Sequence, residues 1–186
     1  MKVDIGIGTR CFAAATLEVK MTLIDVHPER TANPVDEIEL LAAQNDWTFE
    51  RSDDDEIAIS IAGDGADYNV AVSWLSEIEA LHVACAFDIK VPTVRKAEVT
   101  KLLALVNEQL WIGHFDIWQA EGVVMYRNTL LLTGQAEVTS EQMEALIETA
   151  VDTCERHRLA FDFVVRGGRN AKEALDHALL ETVGEA

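Results

Sequence analysis

Residues 56–90 read EIAISIAGDGADYNVAVSWLSEIEALHVACAFDIK, and this stretch decides the fold class. Apolar residues alternate with small or polar ones through 56–62, 68–77 and 80–90, which is the side-chain period of a strand and not of a helix. Glycine and aspartate at GDGAD supply a turn between the first two runs. One face of the strands is bulky, carrying Ile57, Ile59, Ile61, Leu81, Val83, Cys85, Phe87 and Ile89. The other carries Ala58, Ser60, Ala62, Ala71, Ser73, Ala84 and Ala86. Small side chains let another element approach a sheet closely. That second face is therefore either covered by a helix of the same chain or a groove for a subunit or peptide.

Working outward, WTFER at 47–51 is a fourth strand, joined to the first run by the turn SDDD. Before it, Asn33 caps a helix over about 34–46, with Pro34 at its first position and Asp36 and Glu37 at the positive end of its dipole. After residue 90, Pro92 and Thr93 open a second helix to about Trp111, with Val99, Leu102, Leu103, Val106 and Leu110 on one face. HFDIWQ and VVMYRNTLLL then make a hairpin around Glu121 and Gly122. Thr139 and Gln142 form a capping box for a third helix, whose stripe runs from Met143 to Phe161. Gly167 and Gly168 break it, and Asn170 caps a last helix. The order αββββαββαα, strands in runs with helices set apart, defines an α+β fold: an antiparallel sheet with covering helices.

A chain of 186 residues can bury roughly 70% of the surface its unfolded form exposes, so one domain needs no metal or disulfide. Residues 33–186 read as that domain. Residues 1–32 read as an N-terminal extension, disordered or preceding a start at Met21, and MKVDIGIGTRCFAAATLEVK lacks the pattern of a signal peptide. The 33 acidic against 15 basic residues give a net charge of -18. That charge repels polyphosphate and anionic lipid, which excludes nucleic acid and membrane as partners and favours a basic polypeptide. Three widely spaced cysteines with no CxxC fit neither a disulfide framework nor a zinc ribbon, and suit a reducing cytoplasm.

Motifs with chemistry are scarce. GDGAD has neither the lysine nor the following helix of a phosphate loop, and no histidine has another three or four residues away to make a metal face. Arg169 and Lys172 beside Asn170 read as a solvated helix end. No catalytic residue, cofactor or metal site is assigned, and an enzyme is not expected. What remains is His114, Asp116 and Trp118, alternate residues of one strand and hence on one face, with Tyr126 across the hairpin. Tryptophan and tyrosine beside polar groups have the make-up of a binding surface. The sharper alternative is an enzyme of unknown reaction in which Asp116 orients His114 as a general base.

WLSEIEALHVACAFDIK, LLALVNEQLWIGHFDIWQAEGVVMYRNTLLL and AKEALDHALLETVGEA resemble the YbjN-like family of bacterial proteins, and the resemblance spans nearly everything after residue 20. It implies a sensory transduction regulator with a fold like type III secretion chaperones, small acidic proteins that commonly dimerise and bind other polypeptides. No catalytic motif comes with it. The expected function is therefore a non-enzymatic, cytoplasmic regulatory or chaperone-like protein that binds a protein or peptide. A homodimer, or a domain that chiefly self-associates, is the remaining alternative.

Overall fold

The computed structural model describes residues 32–63 and 65–184. The expectations about residues 1–31, including the start at Met21, lie outside the described residues. Asn33 caps α1 (Pro34–Gln44), its side-chain oxygen accepting from Val35 N–H at 2.9 Å. Strands β1 (Thr48–Asp53), β2 (Glu56–Ala62), β3 (Asp67–Leu75) and β4 (Ala80–Lys90) follow as an antiparallel meander. Then come α2 (Lys96–Asn107), β5 (His114–Trp118), β6 (Val123–Leu131), α3 (Ser140–Val165) and α4 (Ala171–Gly184). The α+β class and the order αββββαββαα are as the periodicity predicts. The sheet order is β1-β2-β3-β4-β6-β5, with β6 inserted between β4 and β5.

The bulky face of the sheet is the core. Ile57, Ile59, Val83, Cys85 and Phe87 are buried against Val35 and Ile38 of α1 and Met143, Ile147 and Phe161 of α3. Helix α2 packs on β5 and on α3, and α4 packs on α2 and α3. At the centre Phe115 meets four rings edge-on or tilted: Phe161 at 5.2 Å, Tyr126 and His157 at 5.6 Å each, and Phe87 at 6.5 Å between centroids. Cys85 and Cys154 are buried free thiols, and burial holds the Cys154 thiol far above its ordinary range. Both act as small hydrophobes.

Side chains bind the helix ends. Thr139 and Gln142 exchange both capping-box bonds, at 3.2 and 3.0 Å. Arg95 donates to the carbonyls of Val164 (2.8 Å) and Arg169 (2.6 Å), so the start of α2 caps the end of α3. The N-terminus of α4 already has its anion, because Ala171 N–H donates to Glu98 at 2.9 Å. That bond is the main cause holding the Glu98 carboxyl below its usual range. Helix α2 ends at Asn107, four residues before the expected Trp111, which is 99% exposed. The reason is that the Asn107 carboxamide leaves the helix to exchange two bonds with the backbone of Phe115, at 2.8 and 3.0 Å.

His157 gives the core a pH dependence. It is 4% exposed, and its Nδ1–H donates to Thr153 O at 2.9 Å. Burial pushes its pKa below the ordinary 6.5, outweighing the Thr153 bond, so the folded state holds the neutral ring. A depressed folded pKa contributes stability that is complete above the unfolded value and is lost as pH falls through the folded one. Unfolding free energy should therefore drop as pH is lowered through and below the ordinary histidine value of about 6.5. In His157→Phe, which keeps the ring contact with Phe115, the drop should be shallower. Identical urea-denaturation slopes against pH for the two proteins would remove His157 as the cause.

Candidate functional site

The second face of the sheet, the one with small residues, is covered by none of the described elements. Register places its side chains in rows across the strands. One row runs Glu50, Ala58, Ala71, Ala84, Arg127, His114, and the next runs Thr48, Ser60, Asn69, Ala86, Met125, Asp116. The middle of these rows, from Ala58 and Asn69 to Met125 and Arg127, floors a groove of about 560 Å³ that reaches from Glu56 and Ala58 on β2 to Asp116 and Trp118 on β5. Between the two readings left open by the sequence, the described residues support the groove. Trp118, at its border, is 56% exposed.

Sequence reasoning places His114, Asp116 and Trp118 on one face, and β5 holds them so. Tyr126 is a correction. It pairs with Phe115, not with His114 or Asp116, and so points into the core, where it is fully buried. Its hydroxyl donates to Ile112 O at 2.8 Å, and burial raises its pKa. Met125 and Arg127 are the β6 residues that share the face of Asp116 and His114.

Arg127 organises the polar end of the groove. Its Nε–H donates to His82 Nε2 at 3.2 Å and its Nη1 meets Asp116 Oδ2 at 3.4 Å. The first bond requires a neutral His82 ring with its proton on Nδ1. Burial, then the Arg127 charge, then His114 lower the His82 pKa in the same direction. The other carboxylate oxygen of Asp116 accepts from Ile117 N–H at 2.7 Å. Asp116 thus serves Arg127 and its own strand instead of orienting His114, and the arrangement of a general base with its carboxylate is not formed.

Sequence reasoning missed His82 and Arg127. The signal for His82 was present, since period two in β4 sets it beside Ala84 and Ala86. Its meeting with Arg127 depends on β6 lying next to β4, a pairing across more than forty residues that no local pattern carries. Among the described residues, no group of three or more His, Cys, Asp or Glu side chains is placed to hold a metal ion. Among them, too, no helix is long and apolar enough to cross a membrane.

Among the described residues, this is an α+β protein whose antiparallel sheet has helices on one face and a groove on the other. The chain belongs to the YbjN family, described as "Putative bacterial sensory transduction regulator", whose profile matches residues 34–163. No curated protein sequence matches it. Among solved structures it is similar to YbjN from E. coli, a "putative transcription regulator", at 10% identity and a TM-score of 0.48, covering 64% of this chain and 84% of that one. It is also similar to a chain of the ExsC-ExsE complex, at 23% identity and a TM-score of 0.42, covering 54% and 72%.

Proposed function

We propose that this protein is a non-enzymatic, cytoplasmic regulatory or chaperone-like protein that binds a segment of another polypeptide on the open face of its sheet. The observation that carries the reading is the groove itself. Its floor is mostly alanine with Met125, and has the short polar groups of Asn69 and Ser73 among them; Trp118 stands exposed at its border, and none of the described elements fills it. Exposed aromatic groups beside an apolar floor and a polar rim are the usual anatomy of a protein interface. Membership of a family described as sensory transduction regulators agrees with a role exerted through a partner. Asp116 and Trp118 form the β5 border of this surface, and His114 lies on the same face next to Arg127, beyond the groove lining.

Site-specific photocrosslinking in the native host tests it. A photoreactive residue at Met125, on the floor, should trap one particular polypeptide. The same residue at Lys101, on the outer side of α2, should not. A His114→Ala, Asp116→Ala, Trp118→Ala background should reduce the Met125 adduct severalfold without changing expression. Identical adducts from positions 125 and 101, or adducts only between copies of this chain, would defeat the reading.

A further inference from the structure

We infer that the occupant of the groove is an amphipathic α-helix of the partner, apolar on one side and flanked by lysine or arginine, and not an extended strand. This inference rests on the polypeptide-binding reading and narrows it. The first argument is hydrogen bonding. A sheet face presents side chains only, and the floor presents Ala58, Ala71, Ala84, Ala86 and Met125, with the short polar groups of Asn69 and Ser73 among them. An extended segment laid on that floor would bury peptide N–H and C=O groups with almost nothing to pair them, at about 1–3 kcal/mol for each one left unsatisfied. A helix brings its backbone bonds with it. Extended partners belong at an edge of the sheet, and of its two edge strands β1 and β5 the second already has Phe115 bonded to Asn107 and Ile117 N–H bonded to Asp116.

Shape agrees. From Ala58 on β2 to Met125 on β6 the floor spans three strand spacings, about 14 Å, which admits one helix of about 10–12 Å diameter. Charge selects the flanks. Glu56, Glu121 and Asp116 line the groove, Asp116 being paired with Arg127, and by strand alternation Glu50, Asp67 and Asp88 share the same face beyond its lining, so that the alanines lie within an uneven acidic ring. Among described strand residues the face has two cations, Lys90 and Arg127, and Arg127 is engaged by Asp116. A helix with basic flanks meets this ring with complementary charge, whereas a second copy of a chain of net charge -18 would bring carboxylate against carboxylate.

The test uses two synthetic peptides of identical Leu, Ala and Lys composition, about eighteen residues long. One is ordered so that the apolar residues recur at helical spacing, and the other alternates them at strand spacing. Each is titrated into the full-length protein while backbone amide shifts are followed. The helical peptide should shift residues 58, 71, 84, 86 and 125 and leave the outer face of α2 unmoved. It should gain helix on binding and weaken as salt is raised. Ala71→Gln with Ala84→Gln fills the floor without adding charge and should reduce affinity by about tenfold or more. Met125→Gln is the second variant should the double one fail to fold.

Binding of the alternating peptide to the same residues, with none by the helical one, would overturn the helix while leaving the polypeptide reading intact. Binding of neither overturns the helix, and the crosslinking result then decides the broader reading by itself. A dimer that dissociates in the Gln variants and excludes both peptides would assign the face to a second copy and overturn both.

Discussion

Phe115→Ala should lower the unfolding free energy by about 3–5 kcal/mol, because it empties the centre of the aromatic cluster. Phe115 is 2% exposed, and the rings of Phe87, Tyr126, His157 and Phe161 all rest on it. Two of those come from strands and two from α3, so the cavity would loosen the contact between layers and could not close by moving one element. Phe115→Leu keeps most of the volume and should cost about 1–2 kcal/mol. Urea denaturation of the three proteins checks both values. A loss near 1 kcal/mol for the alanine variant would mean that the cluster collapses onto the gap and that the ring is not central.

Gly113→Ala should cost about 2–5 kcal/mol, a large effect for one added methyl group. Gly113 has φ +64°, a left-handed conformation that disfavours a side chain by roughly 1–2 kcal/mol. A Cβ there would also run into the Tyr126 ring and hydroxyl and the Arg127 carbonyl, adding about 1–3 kcal/mol of overpacking. The collision would displace the bond from Tyr126 to Ile112. Gly134 separates the two causes, since its φ is +71° but nothing lies within 4 Å of an added Cβ. Gly134→Ala should therefore cost only the conformational part, about 1 kcal/mol. Equal losses at both positions in thermal unfolding would show that packing around Gly113 contributes nothing.

The sequence carries the strands, the helices and their order because each has a local cause. Alternation in 56–90, the cap at Asn33 and the box at Thr139 and Gln142 act within a few residues, and the structure realises each of them. The end of α2 was not legible, because it is set by bonds from Asn107 to Phe115 that exist only once the hairpin has docked. Half of the candidate site was legible in the same sense. His114, Asp116 and Trp118 share a face by alternation alone. Tyr126 was misplaced because strand register decides which β6 residues join them, and register follows from the turn at Gly122 and from burial, not from proximity in sequence. The small-residue face was visible in the sequence, but which face the helices cover is a tertiary matter.

The position of β6 has a consequence for biosynthesis. Strand β4 is complete at Lys90, yet its outer edge finds its partner only when residues 123–131 exist. Pairs such as Ala84 with Arg127 close loops of more than forty residues, a larger entropic cost than the two-strand turns of the β1–β4 meander. Until then the nascent chain carries an eleven-residue strand with one unpaired side and the apolar row Leu81, Val83, Cys85 and Phe87. An unpaired edge of that kind is a template for pairing with other chains. A product truncated after Asn107 would therefore not be a smaller version of this protein but a seed for aggregation, and the late hairpin is what makes the finished sheet safe.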